Sequence, residues 1–153
     1  MSWVWIVSGV GLSAVLVALA VVDLRTYRLP DMLTLPLALA GLIVNWWLTG
    51  QWLPFVAGLV VGYGAFVILE GVYRHARGRE GLGRGDAKLL AAGGAWIGWA
   101  ALPQAVLVAS ASAIAMLLLF RNRLMDLQGR VPFGPFLALG IGAVWWAQRF
   151  AGL

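Results

Sequence analysis

Residues 3–25 read WVWIVSGVGLSAVLVALAVVDLR. Twenty uncharged residues precede Asp23, and Arg25 follows at once. As a helix, an apolar run of roughly 18 residues or more matches the hydrocarbon thickness of a bilayer. The run has no basic leader before it and no small-residue cleavage motif after it, so it reads as a retained membrane helix rather than a signal peptide. The pattern recurs along the chain, giving apolar segments at 3–22, 32–49, 54–73, 86–100, 102–120 and 133–150. The 153 residues are 62% hydrophobic and 11% charged, with a mean hydropathy of +0.90, far from the composition of a soluble domain. No polar stretch is long enough for a separate soluble unit. The expected fold is all-α: a polytopic membrane helix bundle of about six transmembrane helices, forming one integral-membrane domain over residues 1–153. Segment 86–100 is short and glycine-rich, which predicts a helix that is either tilted or packed inside the bundle.

The charges orient the bundle. Arg25 and Arg28 follow the first segment. Arg74, Arg77, Arg79, Arg84 and Lys88 surround the junction of the third and fourth, and Arg121, Arg123 and Arg130 lie between the fifth and sixth. The junctions near 50–53 and 100–103 carry no charge. The positive-inside rule makes the three basic loops cytoplasmic and both termini non-cytoplasmic. All nine tryptophans fall near the non-cytoplasmic segment ends, which predicts anchoring in the membrane interface. The net charge of +5 is thus accounted for by orientation, and no nucleic-acid partner is expected. With no cysteine and one histidine, His75, there is no thiol nucleophile, no disulfide framework and a poor basis for a zinc site or a histidine triad. No metal or cofactor is expected.

Six acids remain: Asp23, Asp31, Glu70, Glu80, Asp86 and Asp126. Asp23 closes the first segment and Asp86 opens the fourth, both on the basic side. Two carboxyl groups brought together cannot easily ionise twice and share a proton. That state suits peptide hydrolysis, with one group taking a proton from water and the other giving one to the carbonyl oxygen. Helix dipoles assign the anion to Asp86, at a helix N-terminus, and the proton to Asp23, at a C-terminus. Asp86 also reads as a simple N-cap or a surface ion pair.

The other polar residues have plainer readings. Asp31 after Pro30 reads as an N-cap of the second helix. Glu70 reads as pairing with Arg74 one turn away, and Asp126 and His75 read as loop residues. Lys88 either reaches the headgroups or tunes the acid pair. Glu80 either contacts a basic substrate or pairs with Arg77 or Arg79. Gly83 and Gly85 allow close backbone approach beside Asp86. Pro132 and Pro135, bracketing Gly134, fix an irregular helix entry, either a simple start signal or a wall beside an extended substrate.

Three motifs carry a family resemblance. Gly83-Arg84-Gly85-Asp86 is a GxGD motif, and it continues as AKLLAAGGAWIG through Gly98. Asp23-Leu-Arg-Thr-Tyr-Arg-Leu-Pro-Asp31 precedes it, and Val131-Pro132-Phe133-Gly134-Pro135-Phe136-Leu137-Ala138 follows it. Together they resemble the aspartate regions and the PFGPFL segment of the type IV prepilin peptidases. The resemblance implies an aspartic endopeptidase of the bacterial inner membrane, multi-pass, with its site facing the cytoplasm. Its substrates would be type IV prepilins or type II secretion pseudopilins, cut after their short basic leader, and its catalytic pair Asp23 and Asp86. It also implies supporting roles for Glu80, Gly83, Gly85, Lys88, Pro132, Phe133, Gly134 and Pro135. Many members carry an N-terminal domain with paired CxxC motifs linked to N-methylation. This sequence has no such motif, so methylation is not expected of it. Arg84 also departs from the apolar residue common at the variable position. The alternative is a non-catalytic membrane component of a pilus or secretion assembly.

Overall fold

The computed structural model describes residues 2–77, 84–124 and 132–152. Six helices account for nearly all of them: α1 (Ser2–Thr26), α2 (Asp31–Thr49), α3 (Leu53–Arg77), α4 (Arg84–Ile97), α5 (Leu102–Leu124) and α6 (Gly134–Phe150). The all-α bundle expected from the hydropathy pattern is the fold observed. Among the described residues, Trp3–Thr26, Asp31–Thr49 and Trp99–Leu119 are each long and apolar enough to cross a membrane, and Leu53–Ile68 is a shorter apolar stretch. Large apolar side chains on α1, α2, α3 and α5 point outward, as lipid contact requires.

The fourth segment differs from the others. It ends at Ile97, where Gly98 at φ 78° breaks the helix and a 3₁₀ turn, Trp99–Ala101, leads into α5. Its 14 residues rise only about 21 Å. Of the two arrangements open to it, the helix takes the interior one: every residue from Leu89 to Gly98 is buried. It packs against α2, α3 and α6. Small residues make this possible. A Cβ on Gly58 or Gly94 would collide with the backbone of the other, and one on Gly62 would lie 2.7 Å from the carbonyl oxygen of Leu90. The backbones of α3 and α4 therefore touch, antiparallel and in a defined register.

A helix that ends inside a bundle must satisfy its last four carbonyls there. For α4 each of the four has a donor within reach, although Asn45 Nδ2 is shared with Gly41 O at 2.9 Å. Gly94 O accepts from Gly98 N–H at 2.9 Å. Ala95 O and Trp96 O both accept from Asn45 Nδ2 on α2 at 3.0 Å. Ile97 O accepts from Gln148 Nε2 on α6 at 3.1 Å. Asn45 is wholly buried, and its Oδ1 accepts from Arg149 Nη2 at 2.8 Å. That places a cation near the negative end of the α4 dipole.

This end of the bundle also corrects the uniform reading of the tryptophans. Trp3, Trp46, Trp47, Trp52 and Trp99 are exposed, as interface anchors would be. Trp96 and Trp145 are core residues, buried and packed edge-to-face, with Trp96 Nε1 donating to Leu37 O at 2.8 Å. Trp5 and Trp146 pack together, and Trp146 Nε1 donates to Ser13 Oγ, which brings the two termini to one end of the bundle.

Replacing Asn45 by Leu removes the donor for two α4 carbonyls and the acceptor of Arg149. The expected cost is about 3 kcal/mol. An Arg149→Met change in the same protein should recover part of the loss, because no cation is then left without its acceptor. Thermal unfolding in detergent of the single and double variants reads both effects.

Candidate functional site

The opposite end of the bundle gathers Asp23, Gly134, Leu29, Gly85, Asp86, Lys88 and Asp31. Asp23 lies in the last turn of α1 and is buried. Its carboxylate is met from α6: Gly134 N–H donates to Asp23 Oδ2 at 3.1 Å. The sequence around Gly134 explains the contact. The first N–H groups of a helix have no partner within it, and the side chains of Phe133 and its neighbours supply no cap. The Asp23 carboxylate takes that place. A Cβ on Gly134 would sit 2.6 Å from the same oxygen, so only glycine lets the acid approach. Pro132 is buried, Phe133 is the N-cap residue, and Pro135 occupies the first turn of α6, where its missing N–H costs nothing.

Asp86 lies in the first turn of α4. Burial, and then the charge of Asp23, push its carboxyl up to about 7. The two acids therefore share one electrostatic neighbourhood, though they come from helices whose backbones make little direct contact. The connection between α1 and α2 brings them together. Tyr27 adopts a left-handed conformation at φ 52°, ending α1, and the following turn carries Leu29 inward. A Cβ on Gly85 would lie 3.0 Å from Leu29 Cβ, so α4 begins directly against this turn. Its start is further fastened by Lys88, whose Nζ reaches both carboxylate oxygens of Asp31 at 2.6 and 2.8 Å.

Several expectations change here. Asp31 is not the N-cap of α2: Pro30 holds that position, extended, with no side-chain cap, and Asp31 is the first helical residue. Its carboxylate turns to Lys88 instead. Lys88 accordingly pairs with Asp31, a partner the sequence reading did not name. Asp23 accepts a backbone N–H from Gly134, while burial and then the charge of Asp23 raise the Asp86 carboxyl. Sequence reasoning could not have found the Gly134 donor, which lies 111 residues from Asp23. Glu80 and Gly83 lie outside the described residues, as do Arg79, Asp126, Arg130 and Val131.

A groove of about 330 Å³ opens between α3 and α4 on the flank of Asp86. It is lined by Tyr63, Val67, Glu70, Gly71, Arg84 and Ala87. Glu70 thus faces this groove, and the side chain of Arg74, its expected partner, lies outside what the structure describes.

The family model described as "Type IV leader peptidase family" matches residues 10–119, a span that includes both Asp23 and Asp86. Several curated proteins named prepilin leader peptidase/N-methyltransferase are similar to the chain. The one from Burkholderia pseudomallei (strain 1026b) is 47% identical over 133 residues, covering 85% of this chain and 43% of the relative. The one from Dickeya chrysanthemi is 45% identical over 129 residues, covering 82% and 45%. The one from Aeromonas salmonicida (strain A449) is 42% identical over 142 residues, covering 88% and 47%. The chain thus spans a little under half the length of these relatives. No solved structure matches it significantly. With more than two thirds of its residues inside the matching model, the chain belongs to the type IV leader peptidase family.

Proposed function

We propose that the chain is an aspartic endopeptidase that removes the leader from type IV prepilins or type II secretion pseudopilins. The observation that carries this reading is a pair of carboxyl groups, Asp23 and Asp86, in one electrostatic neighbourhood of a leader peptidase family member. The names of the relatives support the substrate class. Arg25, Arg28, Arg84 and Lys88 flank the two acids, which supports a site at the cytoplasmic face of the inner membrane.

The chemistry follows from the proton distribution. Asp23, as the anion, accepts a proton from water while the water oxygen attacks the scissile carbonyl carbon. Asp86, as the acid, gives its proton to the carbonyl oxygen. The neutral tetrahedral diol then collapses. Asp86 recovers a proton from a hydroxyl, Asp23 passes its proton to the leaving nitrogen, and the C–N bond breaks. Both acids return to their starting states. Gly134 N–H donates to one oxygen of Asp23, leaving the other for water. Gly85 supports the approach of Asp86 to the Leu29 turn, and the Lys88–Asp31 pair holds the start of α4 in place.

Detergent-solubilised protein should cleave a prepilin, detected as a gel shift or a mass change. Asp23→Asn and Asp86→Asn should each lower the rate by about 10³-fold. Full activity in both variants would exclude the acid pair. A second expectation concerns stability. Unfolded, Asp86 loses its proton near the ordinary value of 3.8; folded, it keeps it to about 7. The folded state binds the extra proton, so its advantage is present below the lower value and is lost as pH rises through the upper one. The melting temperature of the wild type relative to Asp86→Asn should therefore fall between about pH 4 and pH 7 and level off above. A flat difference across that range would show that Asp86 titrates normally.

A further inference from the structure

Asp31 and Lys88 each stand a short step from one of the two acids. Asp31 lies beyond Asp23, across the turn that joins α1 to α2, and Lys88 is in the same first turn of α4 as Asp86. Lys88 Nζ lies 2.6 and 2.8 Å from the two carboxylate oxygens of Asp31. The ion pair therefore ties the segment that carries one acid to the segment that carries the other.

The geometry of α4 shows what this tie adds. The far end of the helix is held by Asn45 and Gln148, and its flank by the glycine contacts with α3. Its first turn has less support, and the first turn is where a helix frays. There Gly85 rests on Leu29, a contact that sets how near the helix comes to the turn but not how its start is rotated. Positions 86 and 88 are separated by about 200° around the axis and about 3 Å along it. Asp86 and Lys88 thus leave nearly opposite sides of α4. A pull on Lys88 from α2 fixes the side on which Asp86 faces without entering the space beside it. Asp31 suits that role: it is the first residue of α2, where the helix dipole favours a carboxylate, and both its oxygens go to Lys88.

Exposure bounds the size of the effect. The Lys88 side chain is 37% exposed and that of Asp31 54%. Exposed pairs of this kind shift an equilibrium by about fivefold at most, and salt near 1 M shortens the screening length to about 3 Å. The tie is strong enough to bias the orientation of the first turn and weak enough for salt to release it.

We propose that Asp31 and Lys88 are positioning residues, whose ion pair fixes the first turn of α4 so that Asp86 faces Asp23. The assignment rests on the peptidase reading above, in which the two acids act together. Neither residue touches the substrate in this role, so the pair governs the rate of the chemical step and not the affinity for the peptide.

The test uses the full chain in detergent and a prepilin substrate. At low salt, Asp31→Asn and Lys88→Met should each lower kcat by about fivefold and leave KM unchanged. Lys88→Arg, which keeps the cation, should retain most of the wild-type kcat. Salt raised to about 1 M should bring the wild type down to the level of Asp31→Asn and leave that variant little changed. The two single variants remove charges of opposite sign, so a purely electrostatic influence on the acids would move kcat in opposite directions. That result overturns the proposal, as does a kcat equal to the wild type in both, or a rise in KM at constant kcat. A second measurement needs no substrate. The chain has no cysteine, so cysteines placed at Leu24 and Arg84, both exposed, take spin labels specifically. The distance distribution between the labels should be narrow with the ion pair intact and broader in Asp31→Asn. Broadening supports the positioning role even where the wild type cuts no prepilin and the peptidase reading falls. An unchanged distribution overturns the role and leaves the peptidase reading standing.

Discussion

The structure depends on one constraint: a helix too short to carry its own ends to water must find partners for them inside the bundle. In hydrocarbon an unpaired carbonyl costs several kcal/mol, so α4 can end at Ile97 only because Asn45 and Gln148 reach its terminal carbonyls. The arrangement of the other helices follows from that closure. α2 and α6 must lie where those two side chains can reach, α3 must approach through glycine, and α1 is left to pack on α6. The far end of α4 is thereby aimed at the turn that holds Leu29 and at the carboxylate of Asp23.

Each end of the bundle therefore handles polarity differently. At the end with the termini, a buried amide, a glutamine and an arginine bond to one another's helices, and aromatic rings seal around them. At the other end, among the described residues, one backbone N–H, from Gly134, donates to Asp23.

Much of this was legible in the residues. The uncharged run before Asp23 announces a membrane helix, and the grouping of arginines puts Asp23 and Asp86 at one end. The glycines of 93 and 94 signal close packing for the fourth segment, though not whether it tilts or sinks. What escaped notice depends on long-range pairing. Nothing near Asp31 marks it as the partner of Lys88, 57 residues away. Trp96 and Trp99 look alike in sequence, yet one is core and the other surface. Their difference comes from Gly98, which breaks the helix between them and turns the second ring outward. The helix-dipole argument counted helix ends and missed a third helix start, at Gly134, that supplies a donor to Asp23.

The bond from Gly134 to Asp23 also has a consequence for biosynthesis. α1 leaves the ribosome with its acid in place but without the backbone donor that meets it. That donor belongs to α6, made 111 residues later. α4 also has few means of entering a bilayer alone, being short and rich in glycine and alanine. It must wait for α6, which carries the glutamine for its final carbonyl. The two acids can therefore take these positions only after α6 has been made, and a chain that stops before it carries both aspartates without the Gly134 donor.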